Sequence, residues 1–268
     1  MKELDWSRAK SILIYVYVVV NIFLTIAIGG VYRKDYISKD TIDNTIIALK
    51  NRGVLVKCDM SMYNKEIGTL SYNKFEFDKH YIIKNIFGQD LFQDEDIYIL
   101  GSREIDFVSK NKLVYKDYNY RVNKMQESDI IKYVDWLFLK IGVRFEGEII
   151  ESDEANNQII IYERYKNFYV FGNFVKINLN KDILTIEVNY KKIKKLNNAK
   201  KEIMPIHQVL LKNIVDKKGS SIISISLGFR ESILGYNIKE LDDIPVWRIR
   251  FDDGKEVFYK AYTGKEVK

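Results

Sequence analysis

Two histidines, one cysteine and a few acidic clusters are the residues with which this chain could do chemistry. His80 and His207 stand far apart, neither falls in an H-E-x-x-H spacing, and Cys58 is alone. That rules out a zinc framework of the usual spacings and any intramolecular disulfide. Asp94-Glu95-Asp96 and Asp242-Asp243 have the ligand type for a hard cation or for a glycosidase pair, but neighbouring acids on an extended chain point to opposite sides, and surface solvation accounts for them. No G-x-S-x-G, G-x-x-x-x-G-K-[ST] or G-x-G-x-x-G occurs, which removes the nucleophile elbow and both nucleotide signatures. The expectation is a protein that is not an enzyme, with no cofactor and no metal.

The second kind of chemistry is hydrogen bonding inside lipid. Residues 11–31 contain no Asp, Glu, Lys, Arg or His, and about 20 helical residues rising 1.5 Å each match a hydrocarbon core of about 30 Å. Charged residues stop at Lys10 and resume at Arg33. Ala27 and Gly29 form a small-x-small pair, yet the apolar run is longer than a signal-peptide core, so an uncleaved anchor is expected. Within it Tyr17, Asn21, Thr25 and Gly29 recur every four residues and share one helix face. An amide near the middle of a span is either carried by the surrounding apolar residues or bonded to a neighbouring helix, and small and hydroxyl residues beside it are typical of the second case. This face is the candidate partner contact. Lys2, Arg8 and Lys10 before the span balance Arg33, Lys34 and Lys39 after it, so charge leaves orientation open.

Elements must carry the rest. The 268 residues are 47% hydrophobic and 30% charged, which excludes disorder, and 13% aromatic content with only two Pro favours a strand-rich α+β body. A net charge of +6 is too evenly spread for a nucleic-acid partner. Asp40 reads as a helix cap before the stripe Ile42, Ile46, Leu49, which ends at Gly53; strands follow at 54–59, 68–78, 97–100, 105–108 and 113–118, with 79–93 ambiguous. A helix from Ser128 carries Val134, Leu137, Phe138 and Ile141 to Gly142, followed by strands at 143–151, 158–165, 168–178 and 183–190 with a turn at Asn156-Asn157. A third helix opens at Pro205 with Ile206, Val209, Leu210 and Ile214 inward, then strands at 221–230, 245–251 and 256–262 turn at Asp253-Gly254. The basic run YKKIKKLNNAKK (190–201) reads as a solvated turn and helix approach.

The segment Asp5, Trp6, Ser7, Arg8, Ala9, Lys10, followed by an apolar helix carrying Asn21-Ile22-Phe23-Leu24, resembles the N-terminal signature of the YycI-like family. The terminal run PVWRIRFDDGKEVFYKAYTGKE (245–266) resembles that family's C-terminal portion and the small helix-on-sheet modules called PepSY. The resemblance implies helices packed on twisted antiparallel sheets behind one transmembrane helix. It divides the chain into a cytoplasmic tail (1–10), an anchor (11–31) and two extracytoplasmic subdomains (32–125 and 126–268, PepSY-like from 203). It further implies an accessory regulator of the WalK–WalR two-component system controlling cell-wall metabolism in Gram-positive bacteria, with a WalK-type sensor histidine kinase and a YycH-like sister protein as partners. A second expectation, from the residues alone, is an extracytoplasmic module for an anionic envelope ligand or wall polymer, using Lys191 to Lys195 and exposed Tyr162, Tyr165 and Phe168.

Overall fold

An uncharged apolar run can satisfy its own backbone in lipid only as a helix. The computed structural model describes residues 6–33, 37–60, 66–89, 96–120, 127–153, 158–180, 182–214, 219–231 and 242–267, and it opens with such a helix, α1 (Trp6–Arg33). Its window 10–27 is long and apolar enough to cross a membrane and buries nothing against the rest of the chain. Five residues, 34–38, separate it from α2 (Lys39–Asn51).

Ser38, not Asp40, caps α2: its Oγ accepts from the Thr41 N–H, and Asp40 sits in the first turn, where its charge faces the positive end of the helix. Short strands β1 (Leu55–Val56), β2 (Glu66–Ile67) and β3 (Leu70–Tyr72) follow. The single strand expected over 68–78 is therefore cut short at Tyr72. Leu70 and Tyr72 pack with one hydrophobic cluster and Phe75 and Phe77 with another, so residues 73–78 are the crossing between two cores. Of the ambiguous stretch 79–93, the first part resolves as α3 (Lys79–Phe87), capped by Asp78 and closed by Gly88 at φ 75°, a left-handed conformation that glycine adopts without strain, and 90–93 lie outside the described residues.

The meander β4 (Ile97–Leu100), β5 (Arg103–Ser109), β6 (Lys112–Asp117) leads to α4 (Glu127–Ile141). After it come β7 (Gly147–Asp153), β8 (Gln158–Tyr165), β9 (Phe168–Asn180), β10 (Ile183–Asn189), β11 (Ile193–Leu196) and β12 (Lys201–Glu202). The basic run thus forms two strands rather than a helix approach, and Asn156-Asn157 lies outside the described residues. Helix α5 (Ile206–Asn213) and the strands β13 (Ser221–Glu231), β14 (Asp243–Phe251) and β15 (Glu256–Lys260) complete the chain.

The main sheet runs β11-β3-β14-β13-β9-β10-β6-β5-β4, with β15 on β14, β1 on β13, and β8 and then β7 beside β9. Most pairs are antiparallel; β1 and β9 both meet β13 in parallel, which makes the sheet mixed. Helices cover one face in two groups. Ile82, Ile83 and Ile86 of α3, with Val134, Leu137 and Phe138 of α4, close over Ile105, Tyr115, Val175 and Ile186. Leu49 of α2, with Val209 and Leu210 of α5, closes over Phe229, Trp247, Ile249 and Phe251. Each cluster draws residues from both sides of position 125. The buried indole of Trp247 satisfies its N–H on the Met204 carbonyl at 2.9 Å, as an apolar core requires of a polar atom.

Candidate functional site

The two helix-covered halves share β9, and that strand changes neighbours partway along. Residues 174–180 pair with β10, whereas Tyr169 and Val170 pair with β13, leaving 171–173 at a fork in the sheet. Backbone groups at a fork lose their ladder partners and must find others. Asn173, fully buried, supplies them: its Oδ1 accepts from the Lys191 N–H at 2.9 Å and its Nδ2 donates to the Lys191 carbonyl at 2.7 Å. Asn189 does the same on the other side, donating to the Gly172 carbonyl at 2.9 Å.

An ionic group fills the space where β10 leaves. The Lys191 ammonium lies 3.0 Å from Glu231, 3.6 Å from Asp243 and 5.3 Å from the centre of the Tyr72 ring, and the Tyr72 hydroxyl donates to Asp243 at 2.7 Å. Burial raises the Asp243 carboxyl above its ordinary range against the pull of Lys191, and burial together with Asp243 raises the Tyr72 phenol. Its neighbour Asp242 accepts from Thr69 and Asn197. The two adjacent acids thus bond different partners and tie the segments around β3, β11 and β14 together, with Asp243 Oδ1 facing Lys191 at 3.6 Å without a hydrogen bond among the described residues. Among the described residues no group of three or more His, Cys, Asp and Glu is placed to hold a metal. A cleft of about 660 Å³ opens beside Tyr72, Lys191 and Glu231.

Glu163 also enters the fork, accepting from Asn173 Nδ2, and burial pushes its carboxyl up to about 7, with that hydrogen bond opposing and Glu146 adding to the rise. A raised carboxyl favours the folded state below the unfolded value of about 4.5, and this contribution is lost as pH climbs through about 7. Glu163→Gln keeps an acceptor for Asn173 without the charge. Melting curves across this range should show the variant gaining on the parent chain from pH 5 to 8; parallel curves would contradict the assignment.

On the sheet face opposite the helices, Arg248 is buried and forks onto both oxygens of Glu256, through Nε at 3.1 Å and through Nη2. Its guanidinium also lies over Tyr162 at 5.4 Å and Phe171 at 5.8 Å. Tyr162, expected as an exposed ligand contact, is therefore a packed ring, and Tyr165 and Phe168 are half-buried against the second core. Lys191 is drawn into the fork as well, whereas Lys192, Lys194 and Lys195 of the expected envelope-ligand surface are exposed.

The anchor face is open. Tyr17, Asn21 and Thr25 are exposed, flanking a shallow depression of about 350 Å³ shared with Val18, Ile22 and Ile26. Asn21 Nδ2 donates to the Tyr17 carbonyl and Thr25 Oγ1 to the Asn21 carbonyl, both at 2.8 Å. These i−4 bonds use one Asn21 amide hydrogen and the Thr25 hydroxyl within the helix and leave the second amide hydrogen and the amide oxygen for the face to present. Gly29 continues the same helix, with its surroundings outside the described residues, and of the signature Asp5 lies outside them, Trp6 to Ala9 are described as backbone only, and Lys10 is exposed. Sequence reasoning missed Asn173 and Glu163, and it named Lys191 as a ligand contact and not as part of an ion-paired group. The one signal was a Gly-Asn pair interrupting the apolar strand FYVFGNFVKI.

A family model described as YycI protein matches residues 33–262. That range covers the body and leaves out the N-terminal signature. Among solved structures, YycH from Bacillus subtilis superposes with a TM-score of 0.50 at 17% identity, over 83% of this chain and 60% of that one. The likeness is one of fold, and the chain spans about 60% of the length of that neighbour. The YpeB C-terminal domain from Bacillus megaterium gives a TM-score of 0.38 at 11% identity, over 73% of this chain and 97% of that one. No curated protein sequence matches.

Proposed function

Because the chain belongs to the YycI family, we propose that it is a membrane-anchored accessory regulator of a WalK-type sensor histidine kinase, acting beside a YycH-like sister protein and not as an enzyme. The observation that carries this reading is the family match across 230 of 268 residues (33 to 262 inclusive). The fold likeness to YycH and the apolar N-terminal helix support it. The short tail before the span lies in the cytoplasm and the body outside, an orientation that long C-terminal domains take largely regardless of flanking charge.

Tyr17, Asn21, Thr25 and Gly29 form the contact with the kinase's own span. To regulate, this face and the body must bind one kinase state better than the other, since equal affinity for both shifts nothing. Photo-crosslinkers at positions 17, 21, 25 and 29 should capture the kinase span, and crosslinks spread evenly around the helix would sink the idea of a specific face. Asn21→Leu should weaken co-purification of the kinase severalfold with insertion unchanged, because an interhelical amide bond contributes only about 0.6 to 2 kcal/mol. Undiminished co-purification would remove Asn21 from the contact.

A further inference from the structure

The sheet face opposite the helices is not flat. Between its β8–β10 part and its β13–β15 part runs a groove of about 330 Å³, with Ile160, Tyr162, Phe171, Phe174 and Phe258 on its walls. The rings meet edge to face: Tyr162 with Phe171 at 85°, Phe171 with Phe258 at 72°, Tyr162 with Phe174 at 69°. The face of Phe258 is covered by the Arg230 guanidinium at 4.0 Å.

Charge is unevenly spent along this groove. Of its two carboxylates, Glu256 is held by Arg248 and Glu187 by Lys112 at 2.8 Å. Lys176, directly across from Glu187 on β10, and Arg230, on the opposite wall, form no ion pair with a carboxylate among the described residues. On the same face, across from Arg248, the buried hydroxyl of Ser226 makes no hydrogen bond among the described residues. We propose that this groove docks an acidic peptide segment of a partner protein, its carboxylates meeting Lys176 and Arg230 and an apolar side chain entering between Phe171, Phe174 and Phe258. A sugar polymer stacks on open ring faces, which edge-to-face packing and the Arg230 cover withhold here; an apolar peptide side chain needs only ring edges and methyl groups. The proposal goes beyond the kinase reading and stands or falls without it, because the groove is remote in sequence from the anchor face.

The test uses the full chain in nanodiscs of zwitterionic lipid and a short fluorescent peptide with glutamates flanking a Phe-Leu pair. The peptide should bind, more weakly as salt rises, and Lys176→Glu or Arg230→Glu should each lower affinity about tenfold, equivalent to about 1.4 kcal/mol. Lys194→Glu, an exposed lysine of β11 outside the groove, should leave it unchanged. Equal binding of a version with lysines for glutamates or alanines for Phe-Leu would overturn the proposal. So would equal loss in the Lys194 variant, or displacement of the peptide by hyaluronate, which would assign the groove to a sugar polymer. Should Arg230→Glu lose its melting transition through the missing Phe258 contact, Lys176→Glu alone decides.

Discussion

Asn173→Ala should be among the most destabilising single changes in the body, by about 4 kcal/mol in chemical unfolding of the full chain in detergent. The alanine leaves the Lys191 N–H, the Lys191 carbonyl and the Glu163 carboxyl without the partner each now has, and a buried polar group left unsatisfied costs about 1 to 3 kcal/mol. Asn178 makes one side-chain bond, to Gln158, in a half-buried position of the same strand, so Asn178→Ala should cost less than about 1.5 kcal/mol. Equal effects at the two positions would mean that the fork carries no special strain of satisfaction.

Gly228→Ala should come next, and it acts where β9 meets β13. A Cβ at this position would lie 2.3 Å from the Tyr169 carbonyl oxygen and 2.6 Å from the Phe171 ring. The ring can turn, but the carbonyl is backbone and its neighbours are the two parallel pairs Gly228 with Tyr169 and Phe229 with Val170. Relief requires that the strands separate, and overpacking of this kind costs about 1 to 3 kcal/mol. Hydrogen exchange should then show faster opening of amides around 169–173 and 226–230, with the α3–α4 half little changed. Protection unaltered at the junction would show that the sheet absorbs the methyl elsewhere.

How much of this was readable from residues alone depends on how local the deciding interaction is. The spans 97–100 and 158–165 are strands where they were expected, because each is a short run dominated by Ile and Tyr, residues that suit a pleated, half-buried surface. Gly142 and Gly88 sit left-handed at the ends of their helices; the first was expected, and the second was missed because Lys79–Phe87 is only nine residues long and rich in isoleucine. The cut of the strand expected over 68–78 left a trace, since Leu70 and Tyr72 fall on even positions and Phe75 and Phe77 on odd ones. That slip of phase is the crossing between cores. The fork itself was not legible, because Asn173 is explained by Lys191 and Glu163, and Asp243 by Tyr72, 171 residues away. Its pairings are set by topology, and nothing in a local window encodes them. Tyr17, Asn21, Thr25 and Gly29 share a face by spacing in a single helix, and the use of that face as a contact is the proposal made above.

The five residues between α1 and α2 have a consequence for affinity. At about 3.5 Å per residue they reach at most about 18 Å, so the body cannot diffuse away from the bilayer that holds its helix. A second protein anchored in the same membrane would be confined with it to the same thin layer, so that their encounters would follow surface density and not bulk concentration. Contacts too weak to survive in dilute solution would be favoured under that leash. Binding constants measured on a detached body would understate what the tethered one achieves.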